Sequence, residues 1–164
     1  MKEGLSLQEM AAEIERQSKL KEDYLVDTRN LWMEPFDAKV HLHMRENGTE
    51  VVEPLEVNQI AHRQVGTRLG IPASYYDRML SDYPELLAQN VNAWFQREPA
   101  TRMIRTMAGT ARAFLSNRYR RIDNLEVAQA VLPIIGEMPD ARFESCQITP
   151  SRMVRPDRAL LETV

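Results

Sequence analysis

With 164 residues, 43% of them apolar and 27% charged, the chain has the make-up of one ordinary globular domain. It carries enough apolar surface to offset the entropy of ordering, so disorder throughout is excluded. No window approaches the ~20 apolar residues that a membrane span needs. Glu3, Glu9, Glu13 and Glu15 speak against a secretory leader. The single cysteine, Cys146, rules out an internal disulfide and a zinc site built on several thiolates, so the expected compartment is the cytoplasm.

The net charge of −3 conceals a strong polarity. Residues 1–60 hold 7 basic and 13 acidic side chains, and residues 122–164 hold 4 and 7. Residues 61–121 hold 10 basic and 4 acidic side chains, and all ten cations are arginine. The planar guanidinium fork binds phosphate or carboxylate through two hydrogen bonds, whereas lysine acts as a point charge. Two readings are open: this block recognises phosphate, or its arginines pair with the acidic flanks.

Ser6-Leu7-Gln8-Glu9 predicts a capping box. Leu7, Met10, Ala11 and Ile14 then form an amphipathic stripe, giving a helix over 6–20. Residues 24–57 change to strand-like spacing. Tyr24–Thr28, Lys39–Met44 and Glu50–Glu53 read as strands, and Asn47-Gly48 predicts a hairpin turn. Helical spacing returns over 57–98. Asn58 is a candidate cap, Gly70 a stop, and Pro72 and Pro84 are helix starts. Met103–Met107 and Ala111–Leu115 predict a second hairpin around Ala108-Gly109. Asp123 with Glu126 opens a last helix, which Pro133 is expected to kink or split. Phe143–Thr149 reads as a final strand. The fold class is therefore α+β, antiparallel β-hairpins packed with several helices in a single domain over 1–164, with a core over 24–149.

The 103–115 hairpin is the most informative segment. A two-residue turn sets Met107 opposite Thr110 and, counting outward, Arg105 opposite Arg112. Two facing guanidiniums repel unless an anion lies nearby. Ile104, Thr106, Ala111, Ala113 and Leu115 would form the apolar face, leaving the arginines outward. Ser116-Asn117-Arg118-Tyr119-Arg120-Arg121 follows directly. Arginine neutralises a phosphate backbone and a tyrosine ring offers a stacking surface, the combination a single strand needs. The competing reading is a loop whose tyrosine plugs the core while its arginines pair with acidic residues.

Other constellations carry less. Val65 to Met79 has helix-turn-helix spacing, but its exposed second-helix positions, Ala73, Ser74, Asp77 and Arg78, suit a structural helical hairpin better than a groove reader. His41 and His43 share a strand face without a third ligand, so no metal is expected. Cys146 lacks an adjacent base and reads as a buried thiol. No phosphate loop and no catalytic carboxylate pair is present, so no cofactor and no enzymatic activity are expected.

Taken together, Ala61–Val65, Leu69-Gly70-Ile71-Pro72, Tyr75–Met79, Arg112–Arg120, Asp123-Asn124 and Val131-Leu132-Pro133 make the segment from about 55 to 136 resemble the phage/plasmid-like proteins grouped as a domain of unknown function. The resemblance implies a setting in phages, prophages and plasmids, and no catalytic residues. The functional expectation is a nucleic-acid-binding protein of a mobile element that favours single strands. It would act in replication, recombination or annealing, gripping with Arg105, Arg112, Arg118, Arg120 and Arg121 and stacking on Tyr119. The alternative is a phage-encoded module that binds a host protein, such as an inhibitor of a host defence system. Self-association is open under either reading.

Overall fold

In the computed structural model, the described residues are 2–120, 122–140, 146–148 and 153–154, with side chains described over 5–120 and 122–140. The elements run β1 (Lys2–Leu5), α1 (Leu7–Leu20), β2 (Lys21–Asp27), a single 3-10 turn (Thr28–Asn30), β3 (Leu31–Phe36), β4 (Lys39–Glu46), β5 (Thr49–Glu50), β6 (Leu55–Val57), α2 (Gln59–Arg68), α3 (Ala73–Asp82), α4 (Pro84–Arg97), β7 (Thr101–Met107), β8 (Thr110–Ser116), α5 (Asn124–Gly136), β9 (Cys146–Ile148) and β10 (Met153–Val154). The fold class is α+β, as the alternation of hairpin and helical spacing predicts. The residues group into two compact units: 21–119, and 1–20 together with 120–164.

The larger unit is built on a mixed sheet in the order β2-β7-β8-β6-β4-β3, with β5 paired to β4. All its pairings are antiparallel except β6 with β8. Side chains alternate across a strand, so β4 sends Val40, Leu42 and Met44 into the core and leaves His41 and His43 on the other face. That core joins the strands to Ala61 and Val65 of α2, Tyr76 and Met79 of α3, and Leu87, Val91 and Phe95 of α4. Each buried valine, leucine, methionine or phenylalanine among these contributes on the order of 1.5–3 kcal/mol.

Local chemistry accounts for the helix ends. Asn58 caps α2 by accepting from the Ala61 amide at 2.8 Å. Pro84 supplies the first turn of α4. Between α2 and α3, Tyr76 lies so close to Gly66 that a Cβ there would sit 3.0 Å from the Tyr76 ring, which explains the glycine inside α2. Tyr76 also shares a 2.8 Å hydrogen bond with Nδ1 of buried His62. The second helix presents Asp77 to Arg63 at 2.7 Å. The helix-turn-helix spacing is thus a packed helical hairpin carrying an acid on its outer side.

The edge strand β3 is occupied by a side chain. The Asn92 amide of α4 accepts from the Met33 N–H at 2.6 Å and donates to the Met33 carbonyl at 2.8 Å, as a neighbouring strand would. Pro35 in the same strand removes another donor. Asn92→Ala is expected to cost on the order of 1–3 kcal/mol and to promote self-association at high concentration. Denaturant titration and size-exclusion chromatography measure the two effects. Unchanged stability and elution would contradict this role for Asn92.

The smaller unit contains α1, α5 and a sheet in the order β1-β9-β10. The capping box forms as predicted: the Ser6 N–H donates to Glu9 Oε2 at 2.8 Å, and the Glu9 N–H donates to Ser6 Oγ at 3.3 Å. Its core gathers Leu5, Met10, Ile14 and Ala128. The split expected at Pro133 does not occur: α5 runs as one helix from Asn124 to Gly136 with Pro133 inside it. At this position the proline leaves the carbonyl four residues earlier without its usual helical donor. Of the predicted strand at 143–149, residues 146–148 form β9; the other residues of that segment and the Cys146 side chain lie outside the described residues.

Candidate nucleic-acid interface

The β7–β8 hairpin turns at Ala108-Gly109, both with positive φ (50° and 77°). Met107 faces Thr110 as predicted. The register then departs from a simple count. Thr106 pairs with Ala111, but Arg105 pairs with Ala113, which makes Arg112 the extra residue of a β-bulge. Beyond the bulge the parity of β8 is reversed. Phe114, opposite Ile104, enters the core and stacks on Phe95 with ring centroids 5.8 Å apart, while Ala113 and Leu115 are only half-buried.

This geometry corrects the expected placement of Arg105. It is neither outward nor opposite Arg112. It lies across from Asp23 of β2, with Nε 2.9 Å from Asp23 Oδ1, and the two side chains are 7% and 10% exposed. The physical cause is the neighbouring strand: β2 supplies a carboxylate in register, and burial of one charge requires the other. Arg105 therefore belongs to the framework.

The other predicted residues are differently placed. Arg112 is half-buried, with Nη1 3.6 Å from Met107 Sδ, and it has further interactions, so it is not a free cation. At the exit of β8, the Tyr119 N–H closes a turn onto the Ser116 carbonyl at 3.1 Å. That turn leaves Arg118 exposed and Tyr119 43% exposed, which places Tyr119 outside the core. Among the described residues Arg118 forms no ion pair. Arg120 is also exposed and opens the second segment of the smaller unit. Arg121 lies outside the described residues.

Two arginines that the sequence reading did not single out lie beside this exit. Arg102 of β7 pairs across the hairpin with Ser116. Helix α2 runs alongside β8, and its Gln64 Oε1 accepts from the Phe114 N–H at 2.7 Å. One helical turn beyond Gln64 stands Arg68. Burial, and after it the charge of Arg68, holds the Arg102 guanidinium below its ordinary value. The available sequence signal was weak: an arginine one turn beyond a glutamine means nothing until the partner strand is known.

His43 and His62 have partners within the fold, whereas the buried Nδ1 of His41 has no hydrogen-bond partner among the described residues. His43 stacks on Trp32 at 4.8 Å and its Nδ1 lies 2.5 Å from Glu50, while Arg45 covers the Trp32 ring at 3.7 Å. His41 meets Phe36 edge-on. Among the described residues no group of three potential ligands could hold a metal. No helix among them is long and apolar enough to cross a membrane. Comparison with protein-family models, curated proteins and solved structures gives no match.

Proposed function

We propose that the chain is a non-enzymatic, cytoplasmic nucleic-acid-binding protein that favours single strands and serves the replication, recombination or annealing of a mobile element. The observation that carries this reading is the exit of β8. There Arg118 and the exposed Tyr119 ring offer backbone charge and a stacking face side by side. Arg120 and Arg121 extend the basic run in sequence. Arg105 is left out, because its charge is committed to Asp23. The mobile-element setting draws on the resemblance across residues 55–136.

Binding to a labelled oligonucleotide should weaken steeply as salt rises. Replacing Arg118, Arg120 and Arg121 by Ala should lower the slope of log affinity against log salt by about 2, at ~0.7 per lost contact on a single strand. Tyr119→Ala should weaken single-strand binding by an amount on the order of 1–3 kcal/mol. Binding by the triple variant that matches the wild type at every salt concentration would refute the assignment.

One observation favours a second reading, a module that binds a host protein. Helix α5 leaves Val131, Ile134 and Ile135, with Met138 just beyond its end, more than a third exposed. A raised 260/280 nm absorbance ratio in purified protein favours the first reading, and a clean ratio with a stable protein partner favours the second.

A further inference from the structure

We infer that Arg68 and Arg102 together form a binding site for a phosphate group at the junction of the α2 C-terminus, the start of β7 and the end of β8. Among the other cations of this unit, Arg78, Arg97 and Arg118 are exposed to solvent, and several more are already engaged. Arg29 pairs with Asp27, Lys39 with Glu56, Arg63 with Asp77 and Arg105 with Asp23, while Arg45 lies on Trp32. Among the described residues, the side chains of Arg68 and Arg102 form no ion pair and no hydrogen bond.

A solitary arginine at the end of a helix needs no ligand, because the last turn favours a cation. That explains Arg68 alone. It does not explain Arg102, a half-buried strand residue whose neighbouring charge has the same sign. Bringing like charges together under partial desolvation is unfavourable, and an anion between them reverses the sign of the interaction. The ligand chemistry follows from the forks. One guanidinium already satisfies the two oxygens of a carboxylate, whereas two guanidiniums match the larger set of oxygens and the higher charge of a phosphate.

That phosphate has two sources, a free anion or the diester of a nucleic-acid strand. Ser116 pairs with Arg102 and leads within two residues to Arg118, so a strand held at Arg118 and Tyr119 would pass this point. The strand source rests on the nucleic-acid reading above; the free-anion source rests on the arginine pair alone.

The test uses the full chain with two probes. Inorganic phosphate is titrated at constant ionic strength made up with chloride, and the melting temperature is read. A short oligo-dT is titrated in a separate salt series. Phosphate at ten times its Kd should raise the wild-type melting temperature by roughly 3 °C or more. Arg68→Gln and Arg102→Gln should abolish that rise, and Arg63→Gln, on the same helix, should keep it. Each of the first two variants should also lower the oligonucleotide salt slope by about 0.7. Arg68 is exposed, so its variant remains informative if Arg102→Gln folds poorly.

A phosphate effect lost in the variants without any oligonucleotide binding supports the arginine site with a free anion and overturns the nucleic-acid reading. Reduced oligonucleotide slopes without a free-phosphate effect support the site with a diester. The same phosphate rise in wild type and both variants, with unchanged oligonucleotide slopes, overturns the site.

Discussion

Asp23→Ala is expected to destabilise the protein by an amount on the order of 3–5 kcal/mol, the effect of leaving a buried guanidinium without its carboxylate. Asp23 and Arg105 are each about one-tenth exposed or less, so water cannot replace the lost partner. Arg105→Ala should be similarly damaging, since it strands the Asp23 carboxylate. The double variant Asp23→Leu/Arg105→Met should recover most of the loss, because two apolar side chains carry no desolvation penalty. Urea titration of the wild type, the two alanine variants and the double variant Asp23→Ala/Arg105→Ala gives the coupling, and the apolar double variant is compared with them. A loss below about 1 kcal/mol for both single variants would mean that the pair behaves like a surface salt bridge, and Arg105 would again be a candidate for ligand contact. The cycle also separates stability from binding. Arg105→Leu should lower stability while leaving the oligonucleotide salt slope in place.

The second large effect is a loss of stability on acidification. Burial, opposed in part by the Asp77 charge, lowers the His62 pKa from 6.5 to about 4. A base whose folded pKa is depressed is bound by a proton more readily in the unfolded chain. Stability from this residue is therefore complete above pH 6.5, falls as pH drops towards 4, and is fully lost below that. The gap corresponds to ~3 kcal/mol. Burial also raises the Tyr76 hydroxyl pKa, so Tyr76 stays protonated across this range and contributes no slope of its own. Denaturant midpoints between pH 7 and pH 4 should fall for the wild type, and His62→Gln should flatten the His62 part of that fall. A variant with the same pH slope as the wild type would show that the titration belongs elsewhere.

Local signals in the sequence were read well where their chemistry is local. Ser6 with Glu9, Asn58 at the start of α2, and the Asn47-Gly48 and Ala108-Gly109 turns all form as the residue types require. The β3–β4 hairpin was missed because its turn residues, Asp37 and Ala38, include neither glycine nor asparagine, although both adopt positive φ (49° and 59°). Pro35 further disguised β3 as a loop.

The candidate site was only partly legible. The exposed Arg118-Tyr119-Arg120 exit follows from composition and position, but the fates of Arg105 and Arg102 depend on strand partners far away in the chain. Asp23 meets Arg105 only because β2 pairs with β7, and Arg68 approaches Arg102 only because α2 runs beside β8. No local pattern encodes either neighbour.

The extra residue at Arg112 has a consequence for which length changes this hairpin tolerates. Removing Arg112 would leave Ala113 opposite Arg105 and Phe114 opposite Ile104, so the ladder becomes regular while Phe114 stays against Phe95. Ser116 would keep its place opposite Arg102, and the arginine-tyrosine exit would keep its side of the ribbon. A deletion at Leu115 has no spare residue beside it to absorb the change, and it would move either Phe114 or Ser116 to the other face. Single-codon deletions in β8 should therefore be tolerated at Arg112 and damaging beyond Phe114, an asymmetry that a deletion library would display.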